Sequence, residues 1–205
     1  RNMTKKEEWL AGTRSAVPIM LGYVPVGIAY GVMARQAGLN TWQTVLMSLT
    51  VYGGASEMMA AGMVAQGAAV LTIVLTTFIL NLRHIIMSTC VFNQMQGGRL
   101  PVRMLAAFGV TDETFAVYTT TANAPRTPRY FFSMALCSYL SWALGSWLGA
   151  IATGLLPPLI TAALGISLYA MFIGLLMPGL HGNGRLAALV VLTALCNTVL
   201  CNVVQ

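Results

Sequence analysis

Polar residues are sparse along this chain and separate long apolar runs. The runs lie at about 15–34, 42–65, 68–92, 104–121, 130–154, 158–177 and 185–204. Several exceed the roughly 18 residues that divide a membrane span from a core helix. None alternates with the period of two that a β-barrel strand requires. The pattern predicts an all-α integral membrane protein with about seven transmembrane or re-entrant helical segments. Residues 1–205 then form a single transmembrane domain, opening with a polar tail at 1–14 that carries Trp9 as an interfacial anchor.

Composition strengthens this reading. The 205 residues are 57% hydrophobic and 8% charged, against about a quarter charged in soluble domains. The net charge is +6, but the basic residues sit in the tail and short loops, where they set orientation rather than bind nucleic acid. With seven crossings, Arg1, Lys5, Lys6, Arg14, Arg126, Arg129 and Arg185 share the face opposite Arg35, Arg99 and Arg103. If the second and fourth segments re-enter, only Arg35 is left on the far face. Either count favours a cytoplasmic N-terminus. Cys90, Cys137, Cys196 and Cys201 lie in apolar stretches without metal spacing and are read as small hydrophobes. No cofactor motif and no cleavable signal peptide is visible. The opening at Arg1 and the uncharged end at Gln205 lead us to expect a trimmed start and a further C-terminal segment.

Several small-residue features bear on architecture. Gly27/Gly31 and Gly145/Gly149 each form GxxxG, which lets helices approach closely. Residues 31–52 and 149–169 share a weak echo, consistent with an internal repeat.

The chemistry lies in polar groups where the bilayer should be. A charge at mid-bilayer costs about 2.5–3.5 kcal/mol on insertion scales. Glu57, Arg83, His84, Asp112 and Glu113 risk that cost. In segment three, Thr77, Asn81, His84 and Ser88 fall on one helix face and Thr72, Thr76 and Arg83 nearly opposite. Two polar stripes predict a helix surrounded by protein. Arg83 either snorkels to an interface or pairs internally with a carboxylate. In VYGGASEMMAAG (51–62), Gly53-Gly54 weakens the helix and Ser56 is a candidate N-cap for a restarted one. Glu57 then lies in its first turn, and the free N–H groups offer an anion site. The alternative is close packing at the glycines with a neutral Glu57. In segment four, Gly109 precedes Thr111-Asp112-Glu113, with Asp112 a candidate cap; capping alone, in an interfacial loop, is the plainer reading. His181, in PGLHGNG, reads as interfacial.

Three stretches, YGGASE (52–57), NLRH (81–84) and TDE (111–113), stand in an order that resembles the AzlC/YgaZ family of branched-chain amino-acid permeases. The similarity covers about Ala16 to Leu200. A YAGASQ-like stretch is usual in the family, so this chain departs at Gly53 and at Glu57, where Gln is usual. The resemblance implies export of valine, leucine, isoleucine or related hydrophobic amino acids across a bacterial cytoplasmic membrane. It also implies a small hydrophobic AzlD/YgaH-type partner subunit, with homo-oligomers of that heteromer a further possibility. On this reading Gly53, Gly54, Ser56, Glu57, Asn81, Arg83, Asp112 and Glu113 meet the substrate, with Met58 and Met59 against its side chain. His84, Glu57 and Asp112 are the proton-coupling candidates. Rival readings are a channel, a non-transporting assembly subunit and an intramembrane enzyme. The last lacks any HExxH or GxSxG motif, and a Ser88/His84/Asp112 triad reads as ordinary polar lining.

Overall fold

The computed structural model describes residues 3–121, 124–155 and 184–203, with single positions 157, 159, 160, 163, 166, 173 and 177 between them. The segment predicted at 158–177, the second half of the internal echo, and His181 therefore lie largely or wholly outside the described residues. The described elements are α1 (Lys5–Gln36), α2 (Thr41–Val51), α3 (Gly54–Ala65), α4 (Val70–Gln94), α5 (Leu100–Phe108), α6 (Asp112–Thr120), α7 (Pro128–Ala152) and α8 (Gly184–Val203). The chain divides into two units, 1–168 and 169–205. The second contains α8, which carries the apolar run Ala187–Val199. In the first, α1, α4 and α7 are long and apolar enough to cross a membrane.

The predicted polar tail is helical from Lys5. Thr4 and Glu7 form a reciprocal capping box that satisfies the first backbone donors, and Glu7 and Glu8 suit the positive helix end. Pro18 and Pro25 lie inside α1, each deleting one helical hydrogen bond.

Helices α1 and α7 form the scaffold and run parallel. The Ser133 hydroxyl donates to the Trp9 carbonyl (3.0 Å), Tyr23 packs edge-on against Trp142, and Gly27 faces Gly145. Both GxxxG pairs lie in this seam. A Cβ on Gly145 would stand 2.7 Å from the Val24 carbonyl oxygen, and one on Gly31 would stand 2.7 Å from the Ala150 nitrogen. Backbone meets backbone there, so only glycine fits.

Segments two and four are each broken, and both re-enter. Helix α2 descends from the α1 C-terminus, with Ser48 on Ser146 (2.7 Å) and the Leu49 carbonyl accepting from Tyr139 (2.7 Å). It ends at Tyr52, in a left-handed conformation (φ 46°). Helix α3 restarts at the level of Trp142. Gly53 lies against Asn81 and His84 of α4, while the end of α4 leads to Gln96, whose N–H donates to the Arg126 carbonyl (2.6 Å) beside the α7 N-terminus. Val70 therefore lies about 16 Å from Asn81 toward the α1 C-terminal face. Residues 66–69 reach at most about 18 Å. Had α3 continued in the direction of α2, Ala65 and Val70 would be about 32 Å apart. Helix α3 must return to the face from which α2 came.

The second hairpin enters from the other face. Gly98 abuts Pro128 at the α7 N-terminus, and α5 climbs antiparallel to α4, with Arg103 donating to the Phe92 carbonyl (2.6 Å) and Ser88 to that of Ala107 (3.0 Å). Its tip passes Ala135 at Gly109 and reaches Tyr23 at Thr111. Helix α6 then falls back, so that Tyr118 packs on Tyr130 and Phe131 and its carbonyl accepts from Arg126. Thus Lys5, Lys6, Arg14, Arg99, Arg103, Arg126 and Arg129 belong to the face of the α1 N-terminus, and Arg35 to the other.

Among the described residues of the first unit, the expectation that segment three is enclosed by protein is not met. Helix α4 lies at the edge of that unit. Val91 is its one buried residue, and Val70, Leu71, Phe78, Ile79 and Ile86 are exposed.

Two outcomes test this architecture. Gly149→Val places a Cβ 2.8 Å from the Ile28 carbonyl carbon and should cost about 1–3 kcal/mol, read as a lower unfolding temperature in detergent. Gly62→Ala, where nothing lies within 4 Å, should change little. Cysteines placed singly at Gln36 and Gln66 should react with an impermeant thiol reagent from one face of the membrane, and one at Gln96 from the other. Labelling of Gln36→Cys and Gln66→Cys from opposite faces would overturn the re-entrant path.

Candidate functional site

The two hairpin tips meet the scaffold at one depth, and each broken helix leaves backbone donors that lipid cannot satisfy. At the first tip the cap of α3 is Gly53, with no side-chain cap bond. The expected cap, Ser56, instead donates its hydroxyl to the Gly53 carbonyl (2.9 Å). Glu57 supplies the missing acceptor: its Oε1 takes the Gly53 N–H at 3.0 Å. The Trp142 indole N–H lies 3.2 Å from both carboxyl oxygens. Glu57 is fully buried. The chain's own carboxyl group therefore takes one backbone donor of the expected anion site, the Gly53 N–H. Gly54 faces the Trp142 ring, where a Cβ would stand 3.0 Å from Cη2.

At the second tip the expected cap is likewise displaced by one residue. Thr111, not Asp112, caps α6, in a reciprocal arrangement with Thr114. A threonine hydroxyl can both donate and accept, which suits a site needing both. Asp112 is thereby released to bind Arg83, Nη2 to Oδ2 at 2.9 Å. Of the partners considered for Arg83, the structure selects Asp112. Arg83 is 45% exposed and Asp112 26%, so the pair lies on the uncovered side of α4. Glu113 turns inward and accepts from the Tyr23 hydroxyl at 2.5 Å, and the same hydroxyl lies 2.7 Å from Thr111 Oγ1.

Beside the tips lies a cavity of about 740 Å³ between α4, α5 and the end of α2. Asn81 and His84 line it, as does Tyr52. Gly53 adjoins them, since a Cβ there would lie 3.1 Å from Asn81 Oδ1. The other candidates, Gly54, Ser56, Glu57, Arg83, Asp112 and Glu113, do not line this space. Nor do Met58 and Met59; the apolar wall comes from Ile85, Phe92, Leu100, Met104 and Phe108. The imagined Ser88/His84/Asp112 triad is not assembled, because Ser88 donates to the Ala107 carbonyl and Asp112 is held by Arg83. Among the described residues no cluster of His, Cys, Asp or Glu forms a metal centre.

Sequence reasoning missed Tyr23, Trp142, Thr111 and Tyr52. An aromatic residue inside an apolar run does not stand out. The signal was helical spacing: Tyr23 precedes Gly27 by one turn and Trp142 precedes Gly145 by about one turn, so both lie on the glycine faces that form the seam.

The fold and site define an all-helical membrane protein with two buried half-helix junctions. Residues 18–156 match the model of the AzlC protein family, and the chain belongs to that family. It is 33% identical over 189 residues to an uncharacterized membrane protein of Archaeoglobus fulgidus, covering 91% of this chain and 83% of that one. It is 30% identical over 179 residues to the inner membrane protein YgaZ of Escherichia coli, covering 82% and 72%. It is 27% identical over 158 residues to the branched-chain amino acid transport protein AzlC of Bacillus subtilis, covering 73% and 61%. No solved structure matches the chain.

The first tip makes a stability prediction. Trp142→Phe keeps an aromatic ring but removes the donor to Glu57 and the part of the indole that packs on Gly54, and should cost at least about 1–3 kcal/mol. Glu57→Leu also strips the Gly53 N–H of its acceptor and should cost more. Glu57→Gln keeps an acceptor oxygen and should unfold near the wild-type temperature. A Glu57→Leu protein as stable as wild type would remove Glu57 from this structural role.

Proposed function

We propose that the protein exports branched-chain or related hydrophobic amino acids (valine, leucine, isoleucine, methionine), by secondary, proton-linked transport. It works with a small hydrophobic membrane subunit in a bacterial cytoplasmic membrane. The observation that carries this reading is the Arg83–Asp112 pair at a hairpin tip (2.9 Å). An intramembrane ion pair is costly unless it has a task, and this one matches the two ends of a zwitterion. A substrate carboxylate can replace Asp112 on the guanidinium fork, and the released Asp112 can take the ammonium group. Exchange of partners keeps the number of unpaired charges constant, so loading need not expose a bare charge. His84 is the adjacent group able to carry a proton at neutral pH. It follows Arg83 in α4 and lines the cavity beside the tips.

Two further observations support the reading. The relative from Bacillus subtilis bears the name of a branched-chain amino acid transport protein. The half-exposed ion pair and the apolar face of α4 suit cover by a second membrane subunit of the AzlD/YgaH type. The basic face of the α1 N-terminus is the cytoplasmic one by the positive-inside rule, which places Arg35 outside.

Cells preloaded with labelled valine, leucine, isoleucine or methionine should release label saturably only when both subunits are present, and at a rate that depends on external pH. Arg83→Leu should abolish release while the protein stays in the membrane. Full activity of Arg83→Leu would remove the ion pair from the mechanism. Non-saturating flux that follows the gradient would replace a carrier by a channel.

A further inference from the structure

Glu113 is the buried carboxyl group of the second tip, and partner exchange at Arg83–Asp112 gives it no task. Among the described residues the ion pairs are Arg83–Asp112 and Arg129–Glu8, and no basic side chain pairs with Glu113. A lone buried negative charge is costly, and a bound proton removes that cost. Glu113 instead meets a hydroxyl, that of Tyr23 at 2.5 Å, which lies 2.7 Å from Thr111 Oγ1. Beside Tyr23 lies a second hydroxyl, on Tyr52. Tyr52 is 8% exposed, and its hydroxyl, shielded from solvent, has no hydrogen-bond partner of proper geometry. Native interiors hold few such groups, and each costs about 1–3 kcal/mol.

Hydroxyls both donate and accept, whereas N–H groups only donate. At Glu57 the Gly53 and Trp142 N–H groups fix the direction of their bonds. At Glu113 the direction can reverse. With Glu113 anionic, Tyr23 donates to it, and Tyr52 can donate to Tyr23. With Glu113 protonated, the carboxyl O–H donates to the Tyr23 oxygen, whose own hydrogen turns to Tyr52 or Thr111. One proton is gained, and no buried group loses its bond. Tyr52 also ends α2 and precedes Gly53, whose N–H is held by Glu57, so a change at its hydroxyl reaches the first tip. The other titratable groups around the cluster are Glu57 of α3, the Arg83–Asp112 pair, His84 of α4 beside Gly53, and Tyr139 of α7 edge-on to Tyr52.

We propose that Glu113 is a proton-binding site of transport, with Tyr23 and Tyr52 as positioning residues that pass its charge state to the first tip. The inference rests on the transport reading above and adds the residue that holds a coupled proton. An intramembrane acid in a string of hydroxyls is the setting in which pumps and transporters relay protons. His84 lines the open cavity and Glu113 does not, so mutation separates the two proton-binding groups.

The test uses the full chain with its small subunit in proteoliposomes and labelled valine, leucine, isoleucine and methionine as probes. Two rates are read: release under a proton gradient directed against the amino acid, and exchange of labelled for unlabelled probe without a gradient. The gradient should speed release by wild type. Glu113→Gln is nearly isosteric and still accepts from Tyr23; it should lose this acceleration and keep wild-type exchange. Tyr52→Phe removes an unpaired buried hydroxyl, so its unfolding temperature should equal or exceed that of wild type while the acceleration falls. If wild type transports and Glu113→Gln is still accelerated, the proposal is overturned and the transport reading stands, with His84→Gln expected to lose the acceleration instead. If Glu113→Gln loses exchange as well at an unchanged unfolding temperature, Glu113 serves the substrate and the proposal is overturned. If Glu113→Gln does not fold, Tyr52→Phe decides, and unchanged acceleration there overturns the proposal. If wild type transports without responding to the gradient, the proton linkage falls and this proposal with it. If wild type neither transports nor is stabilised by any probe, the transport reading falls too.

Discussion

Helices that end inside a bilayer must satisfy their own backbone, and that constraint organises this molecule. Two chain reversals lie at the level of Tyr23 and Trp142, well inside α1 and α7. Each needs an acceptor for the first N–H groups of the restarted helix. The Gly53 N–H finds Glu57, and the α6 terminus finds Thr111 and Thr114. The acceptors then need support of their own. Trp142 donates to Glu57, and Tyr23 to Glu113. The two supports touch edge-on at 5.4 Å between ring centroids. A shift at one tip must therefore pass through the scaffold to the other, or else break a buried hydrogen bond.

The glycine seam follows from the same need. Tyr23 and Trp142 can meet only if α1 and α7 approach to backbone contact, which Gly27, Gly31, Gly145 and Gly149 allow. Between the seam and the tips, polar contacts are short and closed: Ser48 bonds Ser146 and the Tyr30 hydroxyl reaches the Thr44 carbonyl. The outer side of α4 is different in kind. It carries the ion pair and the cavity but almost no buried side chain of its own. A rigid inner wall facing a lightly packed outer wall is the arrangement expected where binding and movement occur.

Much of this was legible in the sequence. Apolar run length gave the spans, and the GxxxG pairs gave a close crossing. Gly53-Gly54 and Gly109 marked the breaks, and the intramembrane charges marked the site. The direction of α3 and α6 was not legible, because a broken apolar run looks the same whether the chain continues or turns back. It became decidable only through long-range contacts such as Gly53 with Asn81 and Tyr118 with Tyr130. The caps were misplaced for a related reason. Ser56 and Asp112 are good caps by residue type, but cap position depends on where the helical hydrogen bonds begin. That point was set by Tyr52 entering the left-handed region and by Thr111 bonding Thr114. The pairing of Arg83 with Asp112 rather than Glu57 or Glu113 also depends on the path of α6.

The two tips now divide the chemistry between them. At the first, the carboxyl of Glu57 is committed to its own helix and to Trp142, and it lies out of reach of the cavity. An anionic ligand there would have to displace it from both donors. At the second, the threonine pair takes over the capping task, so neither carboxyl group is needed for the backbone. Glu113 is anchored to Tyr23, while Asp112 is held only by Arg83 on a partly open surface. Asp112 is thus the carboxyl group whose partner can be exchanged without unmaking a helix end or a buried hydrogen bond. The first tip behaves as a fixed wall and the second as the working one, and the cavity opens along α4 and α5 on the side of the second.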